Sequence, residues 1–144
     1  MLISDVLRAK GTQVITVTPD TTVRQLVAVL AEHRIGAVVV SHDGIAVDGI
    51  ASERDVVQEL ARRGAAVMSA PVTAIYTAQV HTVTPQSPIE EVMRMMTERR
   101  VRHAPVVADG GLQGIVSIGD VVKIRLGELQ AERTALTDYI TGTR

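Results

Sequence analysis

Thr16-Val17-Thr18-Pro19 returns as Thr82-Val83-Thr84-Pro85, 66 positions further on. At the same offset Val23 meets Ile89, Leu26 meets Val92, Ile35 meets Val101 and Val40 meets Val106. Past the Asp43-Gly44 and Asp109-Gly110 turns the offset falls by one. Gly49-Ile50-Ala51-Ser52-Glu53-Arg54-Asp55 then aligns with Gly114-Ile115-Val116-Ser117-Ile118-Gly119-Asp120. Loops absorb such length changes where strands and helices do not, so the chain reads as a duplication.

Each copy carries the same order of elements. A short extended segment ends at Pro19 or Pro85, each preceded by a β-branched residue that suits the extended conformation before proline. Val23, Leu26, Val27 and Leu30 then recur at helical spacing, as do Ile89, Val92, Met93 and Met96. Two β-branched runs follow with a glycine-containing turn between them: Ala37 to Val40 with Gly49 to Ala51, and Ala104 to Val107 with Leu112 to Val116. These predict hairpins. Ser52 and Ser117 open a second helix in each copy, the first ending near Gly64 and the second continuing toward Ile140.

The expected architecture is therefore α/β (α+β): two pseudo-twofold-related β-α-β-β-α repeats packed through their sheets. The repeats span residues 1–66 and 67–126, with a C-terminal helical extension over 127–144. One such unit buries too little surface to stand comfortably alone, and pairing covers the sheet face that each leaves open.

Composition narrows the function. Net charge is −1 with 22% charged residues, so no basic field is available to hold a nucleic acid. Tyr76 and Tyr139 are the only aromatics, too few to stack bases as single-strand binders do. Any bound base would lie between aliphatic side chains. Cysteine is absent, which excludes disulfides and thiolate chemistry and suits the cytoplasm. The N-terminal residues lack signal-peptide character, and no apolar run approaches the roughly 20 residues of a membrane span. A soluble protein is expected.

The repeated Ser-x-x-Asp, Ser52/Asp55 and Ser117/Asp120, is the most informative motif. A serine N-cap with an acid three residues later satisfies free backbone donors and suits the helix dipole. The same helix N-terminus also suits a phosphate, with the serine hydroxyl as a further donor and the aspartate as acceptor for ribose hydroxyls. The two uses are compatible. Before the second hairpin stands Val101-Arg102-His103-Ala104-Pro105-Val106, where two cationic residues are either a solvated helix end or an anion site; the first copy has Ile35-Gly36-Ala37-Val38 there, without a cation.

His33, His42, His81 and His103 lack metal-ligand spacing. No P-loop, nucleophile elbow or Rossmann glycine pattern occurs, so no enzyme activity is expected. Met93, Met95 and Met96 fit core packing better than an adaptable surface. In the tail, Ile124, Leu129, Leu136 and Ile140 among charges read as an amphipathic extension, folded back on its own module or packed against a second subunit.

Two copies of x-Val-Thr-Pro, a helix, Val-Arg-His-Ala-Pro-Val or its degenerate counterpart, and Gly-Ile-Val-Ser-x-x-Asp resemble a tandem pair of CBS (cystathionine-beta-synthase) domains, the Bateman module, over residues 1 to 126. The resemblance implies a regulatory module that binds AMP, ADP or ATP, or else NAD or S-adenosylmethionine, in clefts between the copies. It also implies a homodimer and a separate client protein. In such pairs each cleft is crossed. The main cleft would join Ser52, Arg54 and Asp55 to Val80, His81, Val101, Arg102, His103 and Pro105. Asp55 would hold ribose, Ser52 and Arg54 would face phosphate with Arg102 or His103, and Val80 and Val101 would contact the base. The second cleft would join Ser117 and Asp120 to Val14, Ile15, Gly36, Ala37 and Val38. Without a cation it is expected to be weak or empty. A dimeric scaffold with vestigial sites is the alternative.

Overall fold

The computed structural model describes residues 1–11 and 13–142. An N-terminal helix α1 (Ile3–Lys10) precedes the first repeat, which comprises β1 (Thr16–Val17), α2 (Val23–His33), β2 (Ala37–Val40), β3 (Gly49–Ser52) and α3 (Glu53–Arg63). Two 3-10 turns over Ala65–Ser69 and Val72–Ala74 lead to α4 (Ile89–Arg99), β4 (His103–Ala108), β5 (Gly111–Ser117) and α5 (Ile118–Thr141). Thr22 caps α2, its side chain accepting from the Gln25 N–H while the Gln25 side chain accepts from the Thr22 N–H. Arg34 and Arg100 end α2 and α4 in the left-handed conformation.

The first sheet has the order β1-β2-β3, with β1 parallel to β2 and β2 antiparallel to β3. In the second, β4 and β5 form the hairpin. The partner of β1 shrinks there to one parallel bridge between Val83 and Val106. Equivalent hydrogen bonds nonetheless mark the duplication. Ser41 N–H donates to Val17 O at 2.9 Å as Val107 N–H donates to Val83 O at 2.8 Å, and Glu53 N–H donates to Gly36 O at 2.9 Å as Ile118 N–H donates to Arg102 O at 2.8 Å.

Each repeat has its own core, but the segment that opens each copy packs into the core of the other. Ile3, Val6 and Leu7 of α1 are buried with Val83, Ile89, Val92, Met96, Val106 and Val121 of the second repeat. Burying such side chains contributes about 1.5–3 kcal/mol each, enough to hold a two-turn helix that would not persist alone. Val67, Val72 and Ile75 of the linker enter the first core, among Val23, Leu26, Val38 and Val56. Two glycines accept these visitors: Tyr76 lies over Gly49, where a Cβ would collide with its ring, and Leu7 lies over Gly114, where a Cβ would meet Leu7 Cδ2 at 2.7 Å. Leu2 bridges to Pro88 as Pro71 bridges to Thr22. So α1 serves the second repeat as the linker serves the first.

Met96 is buried and Met93 and Met95 pack against the same core, so the methionines are packing residues. The two repeats touch where Leu112 N–H donates to Ile45 O at 2.8 Å and Gly111 meets Ile45. Along α5, Val121 is buried and Ile124 is packed, but Leu126, Leu129, Leu136, Tyr139 and Ile140 are exposed. The distal helix therefore does not fold back on its own module. Residues 143 and 144 of the expected extension lie outside the described residues. No described helix is long and apolar enough to cross a membrane.

Candidate functional site

Ser52 ends β3 in an extended conformation and Asp55 sits on the first turn of α3. Ser52 Oγ accepts from the Asp55 N–H at 3.2 Å while Asp55 Oδ2 accepts from the Ser52 N–H at 2.9 Å and from Ser52 Oγ at 3.0 Å. The same box recurs in the second repeat: Ser117 Oγ accepts from the Asp120 N–H at 3.1 Å, and Asp120 Oδ2 from the Ser117 N–H at 2.8 Å. The motif is thus a helix cap in both places. Since the cap uses only one carboxylate oxygen, Asp55 Oδ1 keeps its acceptor capacity, with no hydrogen bond to any described residue.

Between the repeats lies a cavity of about 500 Å³. The first repeat and linker contribute Ile50, Ser52, Glu53, Arg54, Asp55, Thr77, Gln79, Val80 and His81; the second contributes Arg100, Val101, Arg102 and His103. Ile50 and Thr77 pair through two backbone hydrogen bonds of 2.9 Å, which fixes the linker along the free edge of β3 and carries Val80 and His81 to the cavity. Of the residues expected in the main cleft, all but Pro105 line it. Pro105 is buried in β4, where its carbonyl accepts from the Val83 N–H at 3.0 Å, so it shapes the strand behind the cavity.

The residues expected in the second cleft divide. Gly36, Ala37 and Ser117 border this same cavity, joined by Ile118 and Gly119 at the start of α5. Val14, Ile15, Val38 and Asp120 do not. The expectation that the second cleft has no cation is corrected by the fold. Lys10, at the end of α1, places Nζ 2.7 Å from Asp120 Oδ2 and 2.9 Å from the Ile115 carbonyl oxygen. Burial pushes the Asp120 carboxyl up, but hydrogen bonds from Lys10 and from the Ser117 N–H outweigh it and hold the group below its ordinary value. Sequence reading missed Lys10 because nothing local marks α1 as a partner of the second repeat.

The lining mixes three guanidinium groups, Arg54, Arg100 and Arg102, with two carboxylates, Glu53 and Asp55. Such a set suits a ligand that offers both an anion and hydroxyl donors. His103 crosses from the second repeat to Gly36, and a Cβ at Gly36 would lie 3.4 Å from its Cε1 and Nε2. Burial lowers its pKa below the ordinary histidine value, and the positive charges of Lys10 and Arg102 lower it further against the pull of Asp120 and Glu53. Ile50, Val80 and Val101 supply apolar surface without an aromatic ring. Glu53, Thr77, Gln79 and Arg100 were not anticipated as lining residues. Arg100 ends α4 in the left-handed conformation and borders the cavity, a placement that a helix-end arginine does not announce in the sequence. No cluster of three metal-ligating side chains occurs among the described residues.

Comparison with known proteins places this geometry. The CBS domain family model matches residues 3–62 and again 67–127. The mitochondrial CBS domain-containing protein CBSX3 of Arabidopsis thaliana is 38% identical over 97% of this chain and 72% of its own. A crystal structure of a CBS-domain containing protein from Agrobacterium tumefaciens is 43% identical and covers 87% of this chain and 99% of its own, with a TM-score of 0.83. A CBS domain protein from Pyrobaculum aerophilum complexed with AMP is 26% identical over 83% of this chain and 89% of its own, with a TM-score of 0.72.

Proposed function

Since the chain belongs to the CBS domain family as a tandem pair, we propose that it is a regulatory module binding an adenosyl ligand in the cavity between its repeats. AMP, ADP and ATP are the leading candidates, with NAD and S-adenosylmethionine as relatives of the same chemistry. The observation that carries this reading is the meeting of Asp55, with a free carboxylate oxygen, and Arg54, Arg100, Arg102 and His103 around one cavity of about 500 Å³. That volume lies within the range of small-molecule sites. Asp55 Oδ1 accepts from ribose hydroxyls, the guanidinium groups and the α3 N-terminus face phosphate, and Ile50, Val80 and Val101 flank the base. The complex of the Pyrobaculum relative with AMP supports the ligand class.

Binding across two repeats couples occupancy to the angle between them, and no catalytic step is assigned. We read the module as a homodimer because Leu126, Leu129, Leu136 and Ile140 lie exposed along α5 at coiled-coil-like spacing. A cytoplasmic setting fits the cysteine-free sequence. Calorimetric titration with AMP, ADP, ATP, NAD, S-adenosylmethionine and GTP tests the ligand class. Saturable heat with an adenine compound and none with GTP is expected. Absence of binding by every adenine compound would leave the scaffold alternative in its place.

A further inference from the structure

The two Ser-x-x-Asp acids are equivalent by repeat, yet their surroundings differ. Among the described residues Asp55 forms no ion pair, whereas Asp120 is held by Lys10 Nζ at 2.7 Å. The difference follows from the exchanged segments. Leu7 sits on Gly114 as Tyr76 sits on Gly49, and Leu2 bridges to Pro88 as Pro71 bridges to Thr22. In that register Lys10 corresponds to Gln79, a neutral side chain bordering the open cavity. Asp120 is thus already paired within the chain where Asp55 keeps an open oxygen. Lys10 is anchored a second time by the Ile115 carbonyl oxygen at 2.9 Å, and the α1 residues before it are fixed in the second core. The cation is thus held across Asp120 by the fold, and Asp120 lies outside the residues that border the cavity.

We propose that Lys10 is an internal occupant of the second cleft, closing it to ligand and leaving one working site per chain. This inference rests on reading Asp55 as the ribose acceptor of the first cleft. A ligand entering the second cleft must first displace Lys10 from Asp120 and forfeit that charge-assisted hydrogen bond, whereas the equivalent oxygen at Asp55 is already vacant. Lys10 consequently sets stoichiometry and keeps the response of the module to a single binding event.

The test has two arms. In the first, AMP is titrated calorimetrically into the wild type, Lys10→Met and Lys10→Met/Asp120→Asn, each checked for its native circular dichroism and cooperative melting. One AMP per chain is expected for the wild type, two for Lys10→Met, and one again for the double variant. Two sites in the wild type, or one in a folded Lys10→Met, would overturn the proposal. The second arm needs no nucleotide. Lys10 and Lys123 are the only lysines, so amine labelling followed by peptide mass analysis compares them directly. Several-fold slower labelling of Lys10, relieved in Asp120→Asn, supports the closed cleft; equal labelling contradicts it. Slow Lys10 labelling with no AMP bound by any variant would instead sink the sensor reading while leaving the Lys10–Asp120 closure standing.

Discussion

The imidazole of His103, carried by the second repeat, lies over Gly36 of the first, with Glu53 Oε1 on the same spot. Burial first, then Lys10 and Arg102, lower its pKa from the ordinary 6.5. For a histidine lowered in the fold, the unfolded chain takes up its proton first as the pH drops. Its contribution to stability is whole above about pH 6.5 and is lost as the pH falls through the lower folded value. His42 acts oppositely: a hydrogen bond to Asp48 and the charges of Asp43 and Asp48 raise its pKa, so its contribution is lost as the pH rises. The difference between wild type and His103→Gln isolates the first effect. Urea unfolding at about pH 7.5 and 5.5 should show a larger acid loss in the wild type than in the variant.

The same residue predicts the pH dependence of binding. A phosphate beside His103 favours the imidazolium, so binding takes up a proton and affinity for AMP strengthens as the pH falls from about 8 to 6. His103→Gln should flatten that slope. Calorimetry in two buffers of different ionisation heat measures the proton uptake directly.

Gly49 and Gly114 both accept a neighbouring side chain, but their tolerance differs. A Cβ at Gly49 would collide with the Tyr76 ring and approach the Thr77 carbonyl oxygen to 2.8 Å, whereas at Gly114 it meets the movable end of Leu7. Gly49→Ala should therefore cost about 1–3 kcal/mol by overpacking, and Gly114→Ala less. Denaturant unfolding of the two variants checks the order. Gly49→Ala should also weaken AMP binding, because Tyr76 directly precedes Thr77, whose bridge to Ile50 carries the linker to Val80.

Leu129→Arg/Leu136→Arg removes no core contact, since both side chains are exposed. It should leave the melting transition of an isolated module within about 0.5 kcal/mol while shifting the sedimentation profile from dimer to monomer. An unchanged dimer would move the subunit contact away from α5.

Much of this was legible in the sequence because the duplication repeats its own signals. Pro19 and Pro85, the helical spacing after Val23 and Ile89, and the two Ser-x-x-Asp caps located most elements and the Asp55 side of the cavity. What failed to show were the contacts that cross between repeats. The apolar face of α1 gives no sign of which core receives it, so Lys10 seemed remote from Asp120 although the chain joins them. The segment around Val83 carries the same residues as β1 yet forms only one bridge, since strand formation is decided by the neighbouring edge as much as by propensity. The distal α5 has helical periodicity but no partner within the chain to fix where its stripe packs.

Thermal unfolding with the tightest-binding adenine compound, in wild type, Asp55→Ala and Asp120→Ala, tests whether Asp55 holds an adenosyl ligand. A ligand at a hundredfold excess over Kd stabilises the fold by about 2.7 kcal/mol, or about 5–10 °C in Tm for a chain of this size. That shift is expected in the wild type and in Asp120→Ala, and its loss in Asp55→Ala relative to that variant's own ligand-free Tm; Asp55 is then the ribose acceptor. A shift that survives Asp55→Ala and vanishes in Asp120→Ala would contradict that role.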